Sequence, residues 1–184
     1  MVNKELKNAV IRNMKINIDT ITRASEELLG NIIRTPTIRS QHLSSEINGE
    51  VFLKLENLQY TSSFKVRGAY TSITRLKEEQ KKMGVIAMSA GNHAQAVAWW
   101  AKKERVNATI VMPEHAPLFK VMKTKSLGAD VILRGRTLNE SQTYVSELVN
   151  DKKLTLIHPY DDTNVVIGQG TLGLEFMGDV KDLD

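Results

Sequence analysis

The stretch "TSSFKVRGAY", Thr61–Tyr70, gathers hydroxyls, a phenylalanine, a lysine, an arginine and a glycine into ten residues. Lys65 is the member able to do covalent chemistry, since a deprotonated lysine amine is a nucleophile toward carbonyl carbon. A helical pattern runs from Ser63 to about Lys77, with Val66, Ala69, Tyr70, Ile73 and Leu76 apolar at spacings of three and four. Lys65 therefore falls in a first helical turn, where a cation faces the positive end of the helix dipole. The penalty is a few tenths to about 1 kcal/mol and favours an amine that is neutral or covalently used. The ordinary alternative is a solvated surface cation at a helix start.

A second dense stretch is "SAGNHAQAVAWWAK", Ser89–Lys102. It follows the apolar run "VIAM" and opens a helix, the strand–turn–helix arrangement that aims backbone N–H groups at an anion. Gly91 permits close backbone approach, while Ser89 and Asn92 add side-chain donors and acceptors. A carboxylate or phosphate suits that position; a helix simply capped by Ser89 or Asn92, with nothing bound, is the alternative. His93 is an acid, base or ligand by type, although a lone histidine beside a helix start is more often structural. The four histidines share no common spacing and cysteine is absent, so no metal site is expected. "GQGTLG", Gly168–Gly173, matches the dinucleotide fingerprint in letters only. No clear strand precedes it, and no acidic residue follows at the required distance.

The elements that must position these residues follow a regular rhythm. "GVIAMS", "NATIVMP", "ADVILRG" and "LTLIHPY" are β-prone runs, separated by helical segments Asn92–Glu104, Pro117–Leu127 and Thr137–Asn150. This alternation predicts βαβ units and a parallel sheet, an α/β fold. Upstream, a helix is expected over Asp19–Leu29 with Gly30 as its stop, and a strand over Val51–Glu56.

Composition bounds the remaining classes. A hydrophobic fraction of 41% and charged fraction of 25% fit a globular chain, and no apolar run approaches the roughly 18 residues of a membrane helix. The start, "MVNKELKNAVIRNMKINID", lacks the pattern of a secretory signal. The net charge of +4 is spread over scattered residues, which argues against nucleic acid as partner. A reducing cytoplasm is the expected compartment for a chain without cysteine.

Taken together, "RTP" (Arg34–Pro36), "FLKLENLQ" (Phe52–Gln59), "SFKVRGAY", "SAGNHAQAVA", "MPEHAP" and "HPYDDTNVVIGQGTLGLE" resemble the serine/threonine dehydratases. These are pyridoxal-phosphate (PLP) enzymes of fold type II, related to the tryptophan synthase β subunit. The resemblance implies a three-layer α/β/α architecture with residues 1–77 opening a large PLP-binding domain. It makes 78–160 a small parallel-sheet domain and 161–184 a return segment to the large domain.

It further implies that Lys65 forms a Schiff base with PLP and later removes the α-proton. Phe64 packs beside the cofactor, Asn92 bonds its ring hydroxyl, and the loop Ser89, Ala90, Gly91, Asn92, His93 binds the substrate carboxylate. Arg67 is expected to pair within the protein. The implied reaction converts L-threonine, with serine as a second substrate, to a 2-oxo acid and ammonia, in isoleucine biosynthesis or threonine catabolism. A homo-oligomer is implied for the complete protein.

Three residues or features set this chain apart. Ala90 stands where similar serine racemases carry a serine that acts as second base, so racemisation is disfavoured. Ser62 replaces the family's usual glycine. The family's tetraglycine phosphate loop has no counterpart, since the eleven glycines are never adjacent. The alternatives are therefore an inactive remnant or a binding module that keeps the fold without the cofactor. On this reading the chain is an incomplete fold expected to bind PLP poorly by itself.

Overall fold

The computed structural model describes residues 15–183. The segment read above as lacking a secretory signal lies largely outside them. Helix α1 (Ile18–Leu28) is opened by a reciprocal cap: the Asn17 side chain accepts the Thr20 amide and the Thr20 hydroxyl accepts the Asn17 amide. Gly30, at φ 75°, then turns the chain away. Strands β1 (Thr37–Arg39) and β2 (Phe52–Lys54) pair antiparallel around the short helix α2 (Gln41–Ile47). The alternation over Val51–Glu56 thus yields only three strand residues. Glu56 instead opens a 3₁₀ turn, Glu56–Leu58, and carries its carboxylate inward.

Helix α3 (Lys65–Thr74) is also shorter than its apolar periodicity predicts. Arg75 is drawn aside by bonds to Glu27 and Asn164, and the chain extends at Lys77. It restarts as α4 (Glu78–Met83), with the Gln80 side chain accepting the Lys77 amide. Side-chain partners outside the helix ended it, a cause that periodicity does not carry.

The expected parallel sheet is present, with strands β3 (Val85–Met88), β4 (Ala108–Met112), β5 (Asp130–Leu133) and β6 (Thr155–Leu156) in the order β5–β4–β3–β6. Helices α5 (Asn92–Lys103), α6 (Leu118–Ser126) and α7 (Leu138–Lys152) connect them. Successive strand residues serve opposite faces. Val85, Ala87, Ile110 and Met112 pack with α3 and α5, while Ile86 and Val111 pack with Val145 and Leu148 of α7. Both faces are covered, which is why these strands read as continuous apolar runs.

Helix α8 (Thr163–Asp179) returns the chain to α3 and α1. Asp162 caps it by accepting the Asn164 and Val165 amides. "GQGTLG" lies wholly inside this helix, which excludes a phosphate-binding turn there. Its first glycine has a packing reason. A Cβ on Gly168 would stand 2.6 Å from the Arg67 carbonyl and 2.7 Å from the Gly68 Cα. Two glycines thus let α3 and α8 touch backbone to backbone.

The other tie between these helices is ionic. Arg67, fully buried, forks onto Glu56 at 2.9 Å and onto Glu175 at 2.8 and 2.9 Å. Lys54 approaches Glu175 at 3.0 Å and Asp179 at 2.8 Å, and Asp179 also binds Arg34 and Thr37. Burial alone would raise the Glu175 carboxyl; Arg67 and Lys54 outweigh it and hold the group below its ordinary value. Arg67 pairs within the protein, as expected from the sequence.

Two stability predictions follow from this packing. Gly168→Ala should destabilise by about 1–3 kcal/mol through forced separation of α3 and α8. Gly173→Ala, which meets nothing within 4 Å, should be neutral or stabilising by up to about 1 kcal/mol. Urea midpoints of the two variants measure the contrast; equal shifts would refute the packing role of Gly168. Arg67→Met strips the guanidinium from Glu56 and leaves Glu175 with Lys54 alone, and should cost about 3–5 kcal/mol, read as a lowered urea midpoint at neutral pH.

Candidate active site

The turn Thr61–Phe64 delivers Lys65 to the head of α3. Ser62 sits at φ 57°, a left-handed conformation that glycine adopts freely. A serine held there carries about 1–3 kcal/mol of strain, and its amide is anchored on the Gln59 carbonyl at 2.8 Å. Phe64 already has right-handed helical angles and makes no side-chain cap, while the Ser63 hydroxyl accepts the Lys65 amide at 3.4 Å. The Lys65 amine donates to the Pro159 carbonyl at 2.8 Å and lies 5.2 Å from the centre of the Phe64 ring. The residue is half-buried, and desolvation pulls its pKa below the ordinary lysine value. Burial and the helix dipole push in the same direction, against the charged ammonium form.

The Ser89–His93 loop leads from β3 into α5. The Ser89 amide is bound to the Val111 carbonyl, and its hydroxyl accepts the Gly91 amide at 3.1 Å. Gly91, at φ −136° and ψ −146°, is the residue before the helix, and no side chain caps the first turn. The capped, self-sufficient helix weighed as the alternative is therefore not what the loop builds. A Cβ on Gly91 meets nothing within 4 Å, so the space beside that residue is open. Ala90 packs against the core and Asn92 is exposed.

His93 is buried at 3% exposure, and burial pushes its imidazole down to about 4, with Lys65 and His158 adding to the effect. It is neutral at physiological pH. The ring bonds the Ile157 carbonyl through Nε2 at 2.9 Å. A carbonyl only accepts, so Nε2 carries the proton and Nδ1 the lone pair.

Three buried polar atoms lack a protein partner among the described residues: Thr61 Oγ1, His93 Nδ1 and Gln169 Nε2. All three belong to segments that meet at the head of α3. Thr61 is in the turn before Lys65, and the charge of Lys65 acts on His93. Gln169 Oε1 accepts the Gly68 amide at 3.2 Å. Uncommitted buried polar groups are costly and concentrate where another molecule completes them. By contrast, the cavity of ≈ 330 Å³ lined by Glu114, Arg134 and Tyr144 includes none of these residues.

The amine, the open space at Gly91 and the uncapped amides fit an aldehyde-bearing ring with anionic substituents. Gln169 and the Pro159 carbonyl were not singled out from sequence. Gln169 stood between the glycines of the rejected fingerprint, and Pro159 contributes only backbone.

Similarity to known proteins runs through both the sequence and the fold. Residues 28–184 match the family model described as pyridoxal-phosphate dependent enzyme. A catabolic L-threonine dehydratase, TdcB, of Staphylococcus aureus is 51% identical over 166 residues, which are 90% of this chain and 48% of that protein. This chain thus spans about half the length of the curated relatives it matches. Among solved structures, the processed threonine deaminase isoform 2 of Solanum lycopersicum has a TM-score of 0.81 at 37% identity, covering 91% of this chain and 47% of that one. A serine racemase of Dictyostelium discoideum has a TM-score of 0.85 at 36% identity, covering 92% and 55%. On the matched residues and the shared α/β architecture, this chain belongs to the pyridoxal-phosphate-dependent enzymes of fold type II.

Proposed function

We propose that this chain carries the lysine-bearing part of a threonine dehydratase, acting on L-threonine and secondarily L-serine to give a 2-oxo acid and ammonia. The observation that carries the proposal is the Lys65 amine, half-buried at a helix start and depressed toward its free form, beside uncapped amides with open space at Gly91. In this reading the cofactor, when bound, supplies the electron sink for the carbanion at the substrate α-carbon.

The chain's own residues supply the rest. Lys65 holds the cofactor end of the site and, as a free amine, takes the α-proton. The first-turn amides of α5, at Asn92 and His93, receive the substrate carboxylate at the positive end of the dipole. The exposed Asn92 amide is available to the ring hydroxyl, and Phe64 covers one side of the amine. Ser89 shapes the loop by accepting the Gly91 amide. We also infer the division into a large-domain part (1–77), a small domain (78–160) and a return segment (161–184). Assembly as a homo-oligomer in the cytoplasm belongs to the same reading.

The likeness to serine racemase favours racemisation as the second reading. Ala90 opposes it, because a methyl group offers no proton to the second face of the α-carbon. An inactive binding module is the third reading, and its support is the strained Ser62.

Two experiments separate these readings. With the purified chain at saturating PLP, borohydride reduction followed by peptide mass mapping should place the adduct on Lys65, and Lys65→Arg should abolish it. An adduct spread over exposed lysines without preference for Lys65 would refute the assignment. Ala90→Ser, made in a form of the protein that turns over threonine, should raise serine racemisation relative to dehydration. An unchanged ratio would remove Ala90 as the determinant.

A further inference from the structure

His93 enters the proposed site through its backbone amide, but its side chain does something separate. The Nε2 proton goes to the Ile157 carbonyl at 2.9 Å, while two residues later the Pro159 carbonyl receives the Lys65 amine at 2.8 Å. Ile157 is fully buried and leaves the sheet immediately after β6, its amide held by Ile86 at 2.9 Å. Residues 157–159 therefore form a strap across the head of α3, fixed to β3 by one bond and to α5 by another. His93 Nδ1 is buried without a partner among the described residues and does not add to that hold.

We propose that His93 is a positioning residue that sets where the Lys65 amine stands, by holding the Ile157–Pro159 strap to α5. The inference rests on Lys65 being the cofactor-bearing lysine, but it concerns the free amine and can be measured without cofactor. With the strap held, the amine is kept half-buried over Phe64 and against Pro159. With the strap released, the flexible lysine stem carries the amine outward, where it is hydrated as an ordinary lysine. The charged groups facing this cluster are Lys65 itself and His158 when protonated. The His158 Nδ1 accepts the Asp161 amide at 2.8 Å, which holds that ring in the strap's own turn.

The test compares two amides of unequal reach. His93→Gln places an N–H donor near the Nε2 position and keeps the Ile157 bond, while discarding the Nδ1 acceptor. His93→Asn is equally polar but too short to reach. Each full-length variant is reductively methylated with formaldehyde and cyanoborohydride across a pH series, and the rate at Lys65 is followed by peptide mass spectrometry.

In the parent chain and in His93→Gln, Lys65 should label with an apparent pKa below that of the exposed lysines. In His93→Asn that pKa should rise toward theirs, and labelling at neutral pH should slow about fivefold or more, each pKa unit being tenfold in free amine. Thermal melts confirm that the variants fold alike. If His93→Gln loses the depressed pKa together with His93→Asn, or if neither does, the strap role is overturned. Failure of the cofactor reading shows separately, as a normal labelling pattern with no PLP adduct on Lys65.

Discussion

The buried guanidinium of Arg67 is the fixed point on which the site depends. It lies two residues after Lys65 and reaches Glu56 in the 3₁₀ turn after β2 and Glu175 near the end of α8. An unpaired charge there would cost about 3–5 kcal/mol, a large share of the stability of an ordinary domain. The three segments therefore stay together or come apart together. Because Lys65 is on the same turn as Arg67, its backbone inherits that rigidity, and only its flexible stem remains to be placed. The glycine contact between Gly68 and Gly168 works alongside this, since any larger residue would push α8 away from the guanidinium it must reach.

The second constraint is the mismatch between a cation and a helix start. Ordinary design avoids it, and here nothing relieves it: no acid stands in the first turn of α3, and Phe64 makes no side-chain cap. The head of α5 is bare in the same way. Two uncapped helix starts, a half-buried amine and three uncommitted polar atoms are a local excess of unsatisfied groups. A molecule with an aldehyde, a hydroxyl and anionic oxygens resolves such an excess.

Much of this was legible in the sequence. The alternation of β-prone runs with helical segments predicted the parallel sheet, because strands covered on both faces must be apolar throughout. The first-turn position of Lys65 followed from the spacing of Val66, Ala69, Tyr70 and Ile73. The rejection of "GQGTLG" as a cofactor loop rested on its context, and the helix it occupies agrees.

What escaped were features set by partners distant in the chain. The end of α3 at Thr74 depends on Arg75 being drawn to Glu27 and Asn164. The inward turn of Glu56 depends on Arg67, and the Pro159 carbonyl has no side-chain signature at all. Periodicity reports burial along one element; it carries no information about which remote group a polar residue will meet.

The bond between Lys65 and Pro159 joins residues 94 positions apart. A ribosome delivers the lysine well before the strap that its amine is bonded to. Through that interval the amine is an ordinary hydrated ammonium and a poor nucleophile toward aldehydes. Its half-buried setting against Pro159 is complete only when β6 is laid beside β3, the contact with the longest loop to close in the sheet. The long-range pairing that closes the sheet is thus also what completes the surroundings of the lysine.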